Sequence, residues 1–143
     1  MNRILVATDG SEGAERAVEY AARQAQAERA ELVIANVAGD LPDTVFGAFT
    51  RTQQTWFDEL VSSVSADILA KAREHARRVG VATIHLESRR GDVVQTIIDM
   101  AEDKQATVIV VGKRGTGRVA GLLIGSVSQK LVSLATLPVT VVP

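Results

Sequence analysis

Uninterrupted apolar runs alternate along the chain with segments in which apolar residues recur every three or four positions. An uninterrupted run is typical of a parallel strand covered by helices on both faces. Spacings of three and four are typical of an amphipathic helix. The uninterrupted runs predict strands over residues 4–8, 31–37, 107–111 and Val139–Val142. The alternation of Ala82, Ile84 and Leu86 predicts a further strand over residues 81–88, nearer the sheet edge.

Helices are predicted between these strands. The first follows Ser11, which is a suitable N-cap, and its apolar face is almost entirely alanine, so it can approach a sheet closely. The predicted helices span residues 12–27, 56–79, 92–101 and 126–134. The alternation of strand and helix predicts an α/β fold, with one doubly wound parallel sheet of about five strands and helices on both faces.

The stretch from residue 39 to residue 55 shows no clear period and contains Gly39, Pro42 and Gly47. It is longer than most connections in α/β domains, and such connections are often functional lids or mobile segments. Its apolar residues Val45 and Phe46, together with Phe49, leave two alternatives open. They pack locally over the end of a helix, or they form a flap over a ligand.

Composition restricts the possible chemistry. The chain has 143 residues, of which 46% are hydrophobic and 23% charged, as expected for one globular domain over residues 1–143. It contains no cysteine, which excludes a disulfide framework, a thiolate metal site, an iron–sulfur cluster and a cysteine nucleophile.

Charge and the N-terminal sequence indicate a soluble, cytoplasmic protein. The formal net charge of −1 supplies no general field for nucleic acid, so we expect no nucleic-acid partner. The pairs Arg77-Arg78 and Arg89-Arg90 are interpreted as solvated ends of a helix and a strand. The apolar run after Met1 is too short for a signal peptide or a membrane span.

Ligands of open α/β sheets bind beyond the carboxyl ends of the strands, so the loops at those ends carry the candidate chemistry. One such loop contains Thr8, Asp9 and Gly10, and another runs from Gly112 through a glycine-rich segment to Ser128. Glycines allow backbone amides to approach an anion, and a helix that begins at a serine adds unpaired amides and a positive dipole. The arrangement predicts a phosphate cradle. The alternative is a flexible surface loop with an ordinary serine cap.

Two common nucleotide motifs are absent. The sequence has no Gly-x-x-x-x-Gly-Lys-Ser/Thr, so it lacks the P-loop lysine and the metal-binding hydroxyl. It also has no Gly-x-Gly-x-x-Gly after the first strand, as a dinucleotide-binding fold requires.

The glycine-rich segment resembles the ATP-binding motif of the universal stress protein family, with the spacing Gly112-x2-Gly115-x9-Gly125-Ser126. Residues 4–11, 108–112 and 137–142 are similar to the family's opening strand and loop, fourth strand and final strand. This resemblance implies a sheet in the order 3-2-1-4-5, of the adenine nucleotide alpha hydrolase-like kind. ATP would lie across the carboxyl ends of the first and fourth strands.

The resemblance also implies roles for individual residues. Asp9, with Ala7 and Thr8 before it, would hold the adenine side, and the Val37 backbone would meet the adenine edge. Three positions depart from the common pattern: Ala7 replaces proline or valine, Thr107 replaces aspartate, and Lys113 replaces serine. The residues implied on the ribose and phosphate side are Gly112, Gly115, Gly125, Ser126, Val127 and Ser128, with Lys113 and Arg114 either adding phosphate contacts or pointing to solvent.

Catalytic groups are harder to find than binding groups. A hydrolase needs a base or a water-positioning group near the terminal phosphate, and Asp9 is the only obvious carboxylate in the site loops. His75 is predicted on a solvated helix face, and His85 and Glu87 would supply two metal ligands without a visible third. We therefore predict no catalytic residue and no protein-held metal.

The resulting prediction is a regulatory, stress-response module that binds ATP, with ADP and AMP as alternatives, and Mg²⁺ when a triphosphate is bound. Two other functions stay open: a slow ATPase or phosphotransferase, and a flavodoxin-like flavin-binding domain. A short apolar edge strand invites pairing with a second copy, and family members form such dimers. We therefore expect a homodimer through Val139–Val142.

Overall fold

The five predicted strands form one parallel sheet in the order β3-β2-β1-β4-β5. The computed structural model describes residues 2–113 and 125–143. The strands are β1 (Arg3–Ala7), β2 (Glu31–Ala38), β3 (Ile84–Arg90), β4 (Val108–Gly112) and β5 (Val139–Val142). The predicted fold class and strand order are confirmed.

Helices cover both faces of this sheet. They are α1 (Glu12–Glu28), α2 (Asp43–Phe46), α3 (Arg51–Val79), α4 (Val93–Asp103) and α5 (Ser126–Leu134). Even-numbered residues of the strands, such as Ile4 and Ile34, pack against α1 and α3, and odd-numbered residues, such as Leu5 and Val33, pack against α4 and α5. The core therefore lies in two layers, one on each side of a sheet whose central strands β1, β2 and β4 are buried except at their ends.

The alanine face of α1 allows the close packing that the sequence predicts. Ala17, Ala21, Ala22 and Ala25 are completely buried against the sheet and α3. Ser11 caps the helix, because its hydroxyl accepts from the Ala14 amide at 3.2 Å.

Two predicted boundaries are wrong. Helix α3 begins at Arg51, five residues before the predicted start, because Thr50 and Gln53 form a capping box ahead of the apolar repeat. Strand β3 begins at Ile84 rather than at residue 81. Val81 belongs instead to the end of α3, where its amide donates to the Ala76 carbonyl.

The connection between β2 and α3 is more ordered than its sequence indicates. It contains the short helix α2, and Phe46 and Phe49 contact Phe57 of α3 with ring centroids about 6 Å apart. These rings therefore pack locally over the start of α3, the first of the two alternatives. Val45 is not covered by these rings, and 43% of its surface is exposed.

Candidate nucleotide-binding site

The carboxyl edge of the sheet brings together the two loops that sequence reasoning singled out. Strands β1 and β4 are neighbours, so the loop after β1 lies beside the end of β4. The end of β4 also touches the first turn of α1 through the backbone, because a Cβ on Gly112 would lie 2.7 Å from the Gly13 carbonyl oxygen. The missing side chain at Gly112 therefore has a packing reason as well as its predicted place in a ligand site.

The loop after β1 is held by its own polar side chains. The Gly10 amide donates to Thr8 Oγ1 at 3.1 Å, and the Ser11 amide donates to Asp9 Oδ1 at 2.9 Å. Gly10 has a φ of +82°, a left-handed conformation that glycine adopts without strain. Thr8 is buried, whereas Asp9 is exposed at the edge. This loop therefore forms a fixed ledge that presents Asp9.

The junction between β4 and α5 is closed mainly by backbone contacts. The Gly125 amide donates to the Lys113 carbonyl at 2.7 Å, and the Lys113 amide donates to the Val142 carbonyl at 2.7 Å. The buried Ser128 hydroxyl donates to the carbonyls of Lys113 and Gly125, at 2.9 and 3.2 Å. These contacts fasten the start of α5 to the end of β4.

The N-terminus of α5 differs from those of α1, α3 and α4. Each of those three helices has a side-chain cap, from Ser11, Thr50 and Asp92. Helix α5 begins after Gly125 with no side-chain cap bond among the described residues. Its first internal bond runs from the Gln129 amide to the Gly125 carbonyl, so the amides of residues 126–128 lie outside the helical ladder.

The hydroxyls of this first turn have different surroundings. Ser126 is exposed and available at the helix end, whereas the Ser128 hydroxyl already donates to backbone carbonyls. Any contribution of Ser128 to a ligand therefore falls to its backbone amide. Val127 is also partly exposed. The predicted residues Arg114 and Gly115 lie outside the described residues.

Val37 lies at the point where β2 extends beyond β1. The last bond of the β1–β2 ladder runs from the Thr8 amide to the Ala35 carbonyl. Backbone groups of successive strand residues point to alternate sides, so the Val37 amide and carbonyl face the β1 side. Because β1 ends at Ala7, they face the space beyond that strand.

Sequence reasoning did not identify a series of hydrogen-bonded polar side chains next to the site. Asn36 Nδ2 donates to the Thr8 carbonyl at 2.8 Å, Ser65 Oγ donates to Asn36 Oδ1 at 2.7 Å, and Ser65 and Ser88 share a 2.8 Å hydrogen bond. The sequence contains one sign of it, because Asn36 is a lone polar residue within the apolar run of β2. A buried amide requires hydrogen-bond partners.

The histidines lie away from this edge, but their surroundings differ from the prediction. His75 is half-buried and lines a polar groove between α1 and α3 with Arg23 and Arg78, rather than lying on a fully solvated face. His85 Nε2 lies 3.7 Å from Glu31 Oε1. The Arg3 guanidinium, which donates to Glu31, holds the pKa of that carboxyl below its usual value.

The arginine pair at the end of β3 is not simply solvated. Arg89 pairs with Asp103 and Glu87, which together raise its pKa. Arg90 pairs with Asp58 and lies over the Phe57 ring.

Glu87 is bound by basic groups, since it contacts Lys104 as well as Arg89. Within residues 2–113 and 125–143, no three His, Asp or Glu side chains are grouped so that they could hold a metal ion. No helix in the same ranges combines the length and apolarity needed to cross a bilayer.

Known proteins resemble this chain over its full length. The model of the universal stress protein family matches residues 1–143. Universal stress protein YxiE of Bacillus subtilis is 32% identical over 146 residues, covering 99% of this chain and 98% of the relative. Universal stress protein Rv1996 of Mycobacterium tuberculosis is 34% identical over 154 residues, and the chain spans 47% of the length of that relative.

Solved structures share the fold. A universal stress protein in complex with cAMP matches with a TM-score of 0.77 and 27% identity, covering 99% of this chain and 97% of that one. The universal stress protein of Archaeoglobus fulgidus in complex with dAMP matches with a TM-score of 0.70 and 23% identity, covering 100% and 98%. From its fold and from the family model that matches its whole length, this chain belongs to the universal stress protein family.

Proposed function

We propose that the chain binds an adenine nucleotide across the carboxyl ends of β1 and β4, and that occupancy alters its shape or its association with partners. The observation that carries this proposal is the N-terminus of α5, which has no side-chain cap among the described residues and is fastened to the end of β4, the strand next to β1. Unpaired amides and a positive helix end favour a phosphate group.

The nucleotides in two similar structures support the choice of base. cAMP and dAMP both contain an adenine, a five-carbon sugar and one phosphate, and they are bound by universal stress proteins. We therefore take the adenosine monophosphate unit as the part of the ligand that the site must hold. ATP and ADP contain the same unit, and ATP remains our preferred ligand.

The described residues fit such a ligand from both sides. Asp9 and the Val37 backbone would hold the base, with Ala7 and Thr8 forming the floor under it. The first turn of α5, residues 126–128, would hold a phosphate, with the half-buried Lys113 at its side. Gly112 and Gly125 flank this turn, and we keep Arg114 and Gly115 in the proposed site.

Further phosphates would extend past the helix end towards solvent. Mg²⁺ would neutralise part of the charge of a bound triphosphate, mainly through phosphate oxygens and water. Regulation by occupancy requires that the nucleotide bind one state of the protein better than another. We place this regulation in the stress response, as the family name implies.

Strand β5 supports a second part of the proposal, a homodimer. It has only four residues, and β4 is its sole neighbour in the sheet of described strands. An open edge of this kind readily pairs with another strand. The neighbouring helix α5 exposes Val132 and Leu134. Light scattering at high micromolar concentration should give the mass of two chains, and a monomer would contradict the dimer.

Nucleotide binding is tested on the purified protein. Denaturing a fresh preparation and chromatographing the released small molecules should recover adenine nucleotide. Adding ATP to the stripped protein at a hundred times its Kd should raise the free energy of unfolding by about 2.7 kcal/mol. GTP serves as the base control. The proposal would be refuted if no adenine nucleotide is released and if none of ATP, ADP, AMP and cAMP stabilises the protein.

A further inference from the structure

We propose that Asn36 is a positioning residue that ends the β1–β2 ladder one bond early and so leaves the Val37 amide for the nucleotide base. The inference rests on the proposed function, because it names what prepares the base side of that site.

The ladder shows where the missing bond belongs. Parallel strands bond at alternate residues, and between β1 and β2 this sequence of bonds ends with the Thr8 amide on the Ala35 carbonyl at 2.9 Å. The next bond would run from the Val37 amide to the Thr8 carbonyl. Among the described residues, that carbonyl accepts instead from Asn36 Nδ2 at 2.8 Å. The Asn36 side chain therefore occupies the acceptor that the ladder would give to Val37.

The Asn36 amide is held in one orientation. Ser65 Oγ donates to Asn36 Oδ1 at 2.7 Å, so its oxygen accepts the hydrogen of Ser88 in their shared bond. Asn36 and Ser65 are 6% and 3% exposed, and water competes little for these bonds. With Oδ1 fixed towards Ser65, Nδ2 is directed at the Thr8 carbonyl.

This arrangement has a chemical consequence for the base. The Val37 amide and carbonyl face the same side, and they present one donor and one acceptor beyond the end of β1. Adenine offers a ring-nitrogen acceptor beside an amino-group donor, which complements such a pair. With the base in the same orientation, guanine would place its carbonyl oxygen against the Val37 carbonyl and its ring N–H against the Val37 amide, so neither hydrogen bond would form. Asn36 thereby favours adenine without touching it, and by fixing the Thr8 carbonyl it also places Asp9.

The test is the variant Asn36→Leu, which keeps the approximate side-chain size and removes the donor to Thr8. The Thr8 carbonyl then becomes available to Val37, and the ladder can extend by one bond. We expect the affinity for AMP to fall about tenfold, as for the loss of one well-placed hydrogen bond, and the preference for AMP over GMP to shrink.

Amide hydrogen exchange of the nucleotide-free proteins supplies the second readout. In the wild-type chain the Val37 amide should exchange quickly, and in Asn36→Leu it should exchange more slowly because it gains a ladder partner. A purely structural role would give the opposite result, since a weakened strand end exchanges faster. Fast exchange in the variant, or slow exchange in the wild-type chain, would overturn the proposal.

Milder variants protect the test against misfolding. Ser65→Ala loosens the Asn36 amide and should lower AMP affinity by about threefold, a fraction of one hydrogen bond. Ser88→Ala removes only the last hydroxyl of the hydrogen-bonded series Asn36–Ser65–Ser88. Ile97→Val weakens the core on the other face of the sheet. Both controls should leave affinity within twofold of wild type, measured where all variants are folded.

Two outcomes distinguish a failure of this inference from a failure of the proposed function. If the wild-type chain binds AMP and Asn36→Leu binds it equally well, this inference is wrong and the proposed function stands. If the wild-type chain binds no adenine nucleotide, the proposed function is wrong, and Val37 exchange alone decides whether Asn36 ends the ladder.

Discussion

The two loops that meet at the carboxyl edge of the sheet are built in opposite ways. The loop after β1 is held by its own polar groups, because the side chains of Thr8, Asp9 and Ser11 each accept a hydrogen bond from a backbone amide. The junction after β4 is closed by Lys113 and Ser128, yet the helix that follows has no side-chain cap among the described residues.

The difference indicates that the two regions contribute differently to ligand binding. A loop whose amides are already satisfied provides shape and a fixed carboxylate, whereas a helix end whose amides lie outside the ladder provides donors for an external anion. We infer that β1 supplies the ledge for the base and α5 supplies the phosphate contacts. The following changes are arranged by the size of their expected effects on stability.

The largest effect should come from Gly112→Ala, which disrupts the close contact between the end of β4 and the first turn of α1. The new Cβ would lie 2.7 Å from the Gly13 carbonyl oxygen, and backbone cannot move aside cheaply. We expect a loss of about 3 kcal/mol in the free energy of unfolding, at the upper end for overpacking. Chemical denaturation measures it.

Gly39→Ala is the matched control, because a Cβ there meets nothing within 4 Å. It should change stability by less than about 0.5 kcal/mol. Equal stability of the two variants would show that the end of β4 is not packed tightly against α1 at Gly112.

Ser128→Ala should have the next largest effect, since it removes the side chain that fastens α5 to β4. The hydroxyl is buried and serves two carbonyls, so we expect a loss of about 1.5 kcal/mol. Ser133→Ala is its control on the same helix, because the exposed Ser133 hydroxyl donates to the Gln129 carbonyl of that helix. A loss no larger than the control's would contradict the fastening role.

A pair of serine variants compares the two helix starts directly. Ser11→Ala removes a working cap and should lower stability by about 1 kcal/mol. Ser126→Ala removes a hydroxyl that makes no cap bond with the described residues, and it should change stability by less than about 0.5 kcal/mol. Thermal unfolding of both variants checks this, and equal losses would mean that α5 is capped after all.

The sequence predicts helices and strands well where the spacing of apolar residues agrees with the residues that mark an element's start or end. The bounds of α5 and β5 match the prediction, because a serine start and a proline before the strand mark them. The start of α3 was missed, since residues 51–55 are polar and only the capping box reveals them. The start of β3 was misplaced because Val81 is apolar for a different reason, its burial under the helix end.

The site was predictable in part. Glycine spacing and the serine start led to both loops, since these features act through local backbone chemistry. The packing reason for Gly112 and the contacts of Ser128 depend on residues distant in sequence, and no local pattern contains them. Asn36 was visible as a polar residue in an apolar strand, but its partner on α3 emerges only from the fold.

The most direct measurement of the central claim is the affinity for AMP of Ser126→Asp compared with wild type. A carboxylate in the first turn of α5 complements the helix dipole, so the free protein should gain a few tenths of a kcal/mol in stability. The same charge repels phosphate, and AMP affinity should fall at least about tenfold, as for a lost charge-assisted contact. Thr52→Asp adds the same charge to the first turn of α3, where Thr52 is exposed and a side-chain cap is already present. It should leave affinity unchanged. Wild-type affinity in Ser126→Asp would contradict the assignment of the phosphate to α5.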